Sequence, residues 1–171
     1  MNHFDSFEKL FNSLSESYNS DVDIKWIDRN DNLIGLFSVN NIVYQINCIN
    51  KGNDIWTYKF YLYDSNLKEL SPDITNFNTG KMSILSTIRR GMLYLIDNKT
   101  PKCLIFGSLD KSEGRKKLYS RYSNEIKELY GYELHTSQID NKKVFVLVKD
   151  IEFYKVEKIV NELIDEILND I

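Results

Sequence analysis

Hydrophobic residues at the start of the chain recur at helical spacing. Phe4, Phe7, Phe11, Leu14 and Tyr18 follow one another every three or four positions, and charged residues such as Asp5 and Glu8 fall elsewhere on the helical wheel. This spacing predicts an amphipathic helix from Phe4 to Tyr18.

From Asp23 onward the pattern changes to short apolar runs separated by turn-forming residues. These runs predict four antiparallel strands, Asp23–Arg29, Leu33–Val39, Ile42–Ile49 and Ile55–Tyr63. The link Asn40-Asn41 predicts a tight hairpin, because asparagine tolerates the left-handed backbone that such a turn needs. The fourth strand is largely apolar on both faces, which favours a central position in the sheet.

The second half of the chain alternates between helical and strand patterns. Apolar spacing and short apolar runs predict, in order, a helix from Met82 to Ile96, a buried strand at Cys103–Phe106, a helix at Ser112–Tyr130 closed by Gly131, a hairpin of Tyr132–Gln138 and Lys143–Lys149, and a closing helix at Ile151–Ile171. The passage from the fourth strand through a helix to Cys103 predicts a parallel pair of strands. The sequence therefore predicts an α+β fold: a mixed, mostly antiparallel sheet of about seven strands flanked by about four helices.

Composition narrows the class of protein. A chain of 171 residues that is 42% hydrophobic and 27% charged is typical of one globular domain, so residues 1–171 are predicted to form a single α+β domain. A net charge of −3 does not favour nucleic acid as the main partner. Apolar stretches are interrupted by charges, and the amino terminus lacks the pattern of a signal peptide, so we expect a soluble, cytoplasmic protein without membrane contact, in a host cytoplasm or a virion if a phage encodes it.

Residues that commonly carry chemistry are sparse. Cys48 and Cys103 lie inside apolar runs, where a free thiol behaves as a small hydrophobic group. His3 and His135 are far in sequence from any metal-ligand spacing. The sequence therefore predicts no catalytic residue and no metal site.

A group of basic residues surrounds the start of the third predicted helix, opposed there by Glu113 alone. It consists of Lys111, Arg115, Lys116, Lys117 and Arg121. The positive end of the helix dipole adds to their charge. A solvated helix face, a contact with phosphate or nucleic acid, and a contact with a protein partner all fit this pattern.

The order of elements resembles the GNAT acyltransferase fold. The resemblance is carried locally by the run Lys102–Phe106, by Lys117-Leu118-Tyr119 and by Gly131-Tyr132. In that family a buried strand leads to a helix carrying Leu-Tyr, and a glycine-aromatic pair opens the next strand. The resemblance implies N-acyl transfer, with the pyrophosphate of acetyl-coenzyme A held on a glycine-rich loop. The corresponding segment, Asn76–Lys81, contains one glycine, and no cofactor is predicted.

A second resemblance completes the prediction of function. Phe106-Gly107-Ser108 followed by Gly114–Tyr119 resembles small proteins encoded by bacteriophages. The main hypothesis is therefore a non-enzymatic binding protein with a protein partner, encoded by a phage or other mobile element and acting as a virion component or as a modulator of a host protein. The alternatives are an N-acyltransferase of the GNAT type and a nucleic-acid-binding accessory protein.

Overall fold

The computed structural model describes residues 22–64, 69–71, 81–108, 113–139 and 142–169. Within these ranges the elements are β1 (Lys25–Asp28), β2 (Asn32–Val39), β3 (Ile42–Asn50), β4 (Ile55–Asp64), β5 (Glu69–Ser71), α1 (Lys81–Lys99), β6 (Cys103–Ser108), α2 (Glu113–Tyr130), β7 (Glu133–Ile139), β8 (Lys142–Val148) and α3 (Phe153–Asn169). The predicted α+β class is confirmed.

Two features differ from the prediction. The described ranges contain three helices where about four were expected, because the predicted opening helix, Phe4–Tyr18, lies outside the described residues. The short strand β5 was not predicted, since its residues lie in a polar connection. It forms by antiparallel pairing with β4, in which Tyr63 lies opposite Leu70.

The strands form one hydrogen-bonded sheet whose mixed character confirms the prediction. In the described residues the order is β1-β2-β3-β4-β6-β8-β7, a path of seven strands from which β5 branches at β4. β4 pairs with β6 in parallel, whereas β8 pairs with β6 and β7 in antiparallel fashion. The chain leaves β4 through α1, reaches β6, and then passes through α2 to the far side of β8.

Residues with unusual backbone freedom occupy the turns that the sequence marks. Asn40 and Asn41 join β2 to β3 with φ angles of 52° and 66°, as the prediction of a tight hairpin requires. Gly131 ends α2 at a φ of 76°, and its N–H donates to the carbonyl of Lys127. The predicted hairpin and helix end are both confirmed.

The chain divides into two compact units. Of the described residues, the first unit holds those from 22 to 47 and those that lie within Phe60–Leu95. Its core includes a stack of three rings, in which Phe37 lies 5.3 Å from Tyr44 and 6.0 Å from Phe60. Trp26 of β1 stacks on Tyr94 of α1 at 4.2 Å and also covers Gly35, where a Cβ atom would lie 2.8 Å from the indole ring. Glycine at position 35 is therefore needed for β1 to approach β2 in this way.

The second unit, whose described residues lie within Cys48–Lys59 and Ile96–Ile171, has a different core on each face of its strands. On one face α3 covers an aliphatic cluster of Ile55, Cys103, Ile105, Val144, Val146, Val148, Val156, Val160, Leu163 and Ile164. On the other face α2 packs aromatic side chains against β6 and β8, with Tyr119 edge-on to Phe106 and Phe145. Lys51 and Glu166 form an ion pair at 2.8 Å within the same unit.

Candidate functional site

The parallel pairing between β4 and β6 stops before either strand reaches its last residue. The ladder consists of Ile55 opposite Cys103, Trp56 opposite Leu104 and Thr57 opposite Ile105. β4 nevertheless continues to Asp64 and β6 continues to Ser108. In sheets with parallel strands, ligands bind outside the carboxyl ends of the strands where the direction of chain connection changes. The end of this ladder is such a place.

Two buried polar atoms lie at the end of the ladder. The indole Nε1 of Trp56 and the hydroxyl of Thr57 have no hydrogen-bond partner among the described residues, although both side chains are almost wholly buried. Because the residues are adjacent on β4, their side chains point to opposite faces of the sheet. Buried polar atoms are normally paired, so an exception calls for an explanation, and a bound ligand is one.

A cluster of tyrosines lies on the α2 face beside the ladder. We call Tyr58, Tyr119 and Tyr122 the tyrosine cluster; all three are buried. Burial, together with the nearby Cys48 thiol and the hydroxyls of Tyr119 and Tyr122, raises the pKa of Tyr58 well above its ordinary value. The hydroxyl of Tyr58 therefore keeps its proton at neutral and mildly alkaline pH and acts as a hydrogen-bond donor.

The structure describes the side chains of two of the five predicted basic residues. Lys111 lies outside the described residues, and the side chains of Arg115 and Lys116, in the first turn of α2, are likewise not described. Lys117 is exposed and Arg121 is half-buried, one helical turn apart. The function of this group stays a prediction.

The structure adds one basic residue that the sequence did not single out. Lys143 of β8 lies opposite Ser108, at the carboxyl end of β6, and its Nζ is 3.3 Å from the hydroxyl of Ser120 on α2. The same ammonium lies 5.2 Å from the centre of the Phe145 ring. The sequence gives one indication of this contact, because residues two apart in a strand, such as Lys143 and Phe145, share a face. It does not show that this face of β8 lies against α2.

The cysteines and His135 occupy structural positions. Cys48 and Cys103 are buried free thiols, and burial raises the pKa of Cys103 to about 12. His135 stacks on Phe153 at 3.9 Å and lies 3.1 Å from the carboxylate of Glu133. Among the described residues, no group of three or more His, Cys, Asp and Glu side chains is placed to hold a metal ion.

The outward face of α3 is polar. An open groove of about 430 Å³ runs along it, lined by Tyr154, Glu157, Lys158, Asn161, Glu162 and Asp165. The opposite face of the helix is buried in the aliphatic cluster. None of the helices in the described ranges has the length and apolar character needed to cross a membrane.

Comparison with known proteins bears on the fold and corrects the predicted function. The chain matches no protein-family model and no curated protein. Its fold is similar to the crystal structure of the N-acetyltransferase PseH from Campylobacter jejuni, with a TM-score of 0.39 and 11% identity over 87% of this chain and 84% of that chain. At this TM-score nothing of that protein's chemistry is transferred to this chain.

The two resemblances stated from the sequence have different outcomes in these comparisons. It agrees in part with the resemblance to the acyltransferase fold, and no comparison supports the resemblance to phage proteins. The main hypothesis, a non-enzymatic binding protein from a phage or mobile element, is wrong on this finding, because the structural neighbour is an N-acetyltransferase.

Proposed function

We propose that this chain is an N-acyltransferase that moves an acyl group from a coenzyme A thioester to an amine. The proposal rests on the early end of the β4–β6 ladder, where a parallel pair stops at Thr57 and Ile105 while both strands continue. This place is a topological switch point, since the chain enters β6 from one neighbour in the sheet and leaves it for a strand beyond the other. Switch points of this kind accept extended ligands.

The chemistry at the end of the ladder fits the pantetheine arm of coenzyme A. That arm is an extended chain with amide groups, and such chains bind to strands through main-chain hydrogen bonds. Trp56 supplies an indole donor on the face of the sheet that Tyr58 shares. This atom gains a partner from an amide-bearing ligand on that face, which removes the cost of leaving it buried and unpaired.

The tyrosine cluster supplies the proton chemistry. In the proposed reaction the nitrogen lone pair of the amine attacks the thioester carbonyl carbon, the carbon–sulfur bond breaks with its electron pair on sulfur, the nitrogen releases a proton to water, and the departing thiolate takes up a proton from water. The products are an amide and a thiol. The cluster donates a hydrogen bond to the departing sulfur, and the raised pKa of Tyr58 keeps its hydroxyl protonated in the pH range in which a thiolate forms.

A thiol-release assay tests the proposal. The protein is incubated with acetyl-coenzyme A and, separately, with pools of polyamines, amino sugars or lysine peptides, and free thiol is measured with a chromogenic reagent. We expect release that needs both protein and amine, and that falls in Tyr119→Phe but not in the control Tyr154→Phe, whose ring is exposed. Absence of amine-dependent release with acetyl and longer acyl donors would contradict the proposal.

A further inference from the structure

The strand β7 forms one edge of the sheet in the described residues. All seven of its residues, from Glu133 to Ile139, pair with β8 in an unbroken antiparallel register. No described strand lies on its other side. An edge strand presents a row of unpaired backbone N–H and C=O groups on such a side, and this row is a template for pairing with another strand.

The two edge strands of the described sheet differ in the features that prevent such pairing. β1, at the opposite edge, is four residues long and exposes a charged residue at each end, Lys25 and Asp28. Short length and charge are usual protections of a sheet edge. β7 is seven residues long and contains no lysine, arginine or proline, and its one acidic residue is Glu133. β7 therefore lacks the protection that β1 has.

Two exposed apolar side chains lie beside the start of β7. Leu129, near the end of α2, is 65% exposed and precedes the strand by four residues. Tyr154 is 68% exposed and follows Phe153, whose ring stacks on His135 of β7 at 3.9 Å. Because α2 and α3 lie against opposite faces of the strands, the two side chains flank β7 from opposite sides. They supply apolar area next to the unpaired edge, and aromatic residues are enriched in protein interfaces.

We propose that β7 pairs in antiparallel fashion with β7 of a second copy of the chain, so that the strands of the two copies form one continuous sheet. Two identical strands that are related by a twofold axis through the sheet run in opposite directions, and the same surface serves both copies. Thr136 is the middle residue of β7, so an axis at Thr136 lets all seven residues of each strand pair. The inference is independent of the proposed acyltransferase function.

The charge on β7 favours this arrangement. In the antiparallel pair Glu133 lies opposite Ile139 of the second copy, and the two Glu133 residues are roughly 20 Å apart along the strands. A parallel, in-register pair would instead place the two carboxylates side by side, where like charges are destabilising. At the axis Thr136 lies opposite its own copy, and cross-strand pairs of threonine are favourable. The strand is thus complementary to itself in the antiparallel direction.

Charge substitution at the axis tests the proposal. The molar mass of the full chain is measured by light scattering over a range of protein concentrations. Thr136→Lys and Thr136→Glu each place two like charges opposite each other, whereas a mixture of the two variants places opposite charges there. Thr136 is exposed, so neither change disturbs a core. Ser38→Lys is the matched control, because Ser38 is also an exposed hydroxyl residue in a strand, but β2 is paired on both sides.

We expect the wild-type chain to form a dimer, and each Thr136 variant to have a dimer dissociation constant at least roughly tenfold higher, because like charges facing each other across an interface are costly. The equimolar mixture of the two variants should recover the dimer, and the control should match the wild type. Circular dichroism spectra establish that the variants are folded. Hydrogen exchange of the β7 amides in the wild-type chain needs no variant and should slow as the protein concentration rises.

Three results would overturn the proposal. The first is a wild-type chain that is monomeric at every concentration, with hydrogen exchange in β7 that does not depend on concentration. The second is a dimer that persists in both Thr136 variants, which would place the interface on another surface. The third is a dimer that both variants lose and the mixture does not recover, since residue 136 would then not lie opposite its own copy.

Discussion

The two faces of the second unit differ in chemistry although they share the same strands. Toward α3, β6 and β8 present Cys103, Ile105 and three valines, which pack with aliphatic residues of the helix. Toward α2 the same strands present Phe106 and Phe145, which pack with tyrosines. The α3 face is lined mainly by aliphatic side chains, with Thr57 as a polar exception, so its main effect is on stability. A face that buries hydroxyls requires partners for them, and a ligand is one way to supply partners.

The difference between the faces predicts that α3 is essential for folding. Deleting Lys155 to Ile171 exposes the aliphatic cluster and removes Val156, Val160, Leu163 and Ile164, which are all buried. Burying four such side chains contributes roughly 6–12 kcal/mol, which is comparable with the typical net stability of a domain. We expect the truncated chain to lose cooperative urea unfolding, as followed by circular dichroism.

A truncated chain that stays soluble and unfolds cooperatively would show that the strands are stable without α3. The apolar face of the helix would then need a partner outside the unit, and the contrast between the two faces would fail.

A single truncation on the α3 face should lower stability without changing the site. Ile105→Ala removes a fully buried side chain from the aliphatic cluster and should lower the free energy of unfolding by about 2–5 kcal/mol. The measurement is urea denaturation, with Ile27→Ala as the control because Ile27 is exposed on β1. The folded fraction of Ile105→Ala should keep the acyl-transfer rate of the wild type. A lowered rate per folded molecule would mean that the α3 face takes part in the reaction.

The α2 face should show the opposite behaviour. Tyr119→Phe keeps the ring that packs against Phe106 and Phe145 but removes the hydroxyl from the tyrosine cluster. We expect acyl transfer to slow by about 100- to 10,000-fold, the range of a lost proton-donating group, with a loss of stability below about 1.5 kcal/mol. A variant with unchanged rate and a large loss of stability would make the cluster a purely structural feature.

Alkaline pH should lower the stability of the protein, because two buried groups hold their protons more tightly in the folded state than in the unfolded state. The ordinary pKa values are 9.0 for the Cys103 thiol and 10.0 for the Tyr132 hydroxyl, and burial raises both to about 12 in the folded protein. Between the two values the unfolded chain loses these protons while the folded chain keeps them, so stability is complete below pH 9 and falls as the pH rises toward 12. Urea titrations at increasing pH measure this slope, and Cys103→Ala should reduce it. A stability that is constant across this range would contradict the burial of these groups.

The elements were predictable from the sequence where their signals are local. The period-two and helical patterns gave the positions of β6, α2 and α3, and Asn40-Asn41 gave the hairpin, because these signals depend on residues close in sequence. β5 was missed because it exists only through its pairing with β4. Lys143 was missed for a similar reason, since its contact with Ser120 joins residues 23 positions apart.

The candidate site was harder to predict than the fold. Tyr58 and Tyr119 come from different elements, and their approach depends on how α2 lies against the strands. The end of the β4–β6 ladder has no sequence signature, because it depends on which residues of two strands distant in sequence pair with each other. The basic residues of α2 were visible in the sequence, and their function stays a prediction. The features of the site that were missed depend on pairing between strands, which local sequence patterns do not predict.

Binding of acetyl-coenzyme A, followed residue by residue, decides whether the α2 face is the reactive one. The protein is titrated with the donor while amide chemical shifts are recorded by nuclear magnetic resonance. We expect saturable binding with a Kd of about 1 μM to 1 mM, the usual range for enzyme substrates, and the largest shifts at Trp56–Lys59, Phe106–Ser108 and Tyr119. Shifts confined to the outward face of α3, or no saturable change, would contradict the assignment of acyl transfer to the end of the β4–β6 ladder.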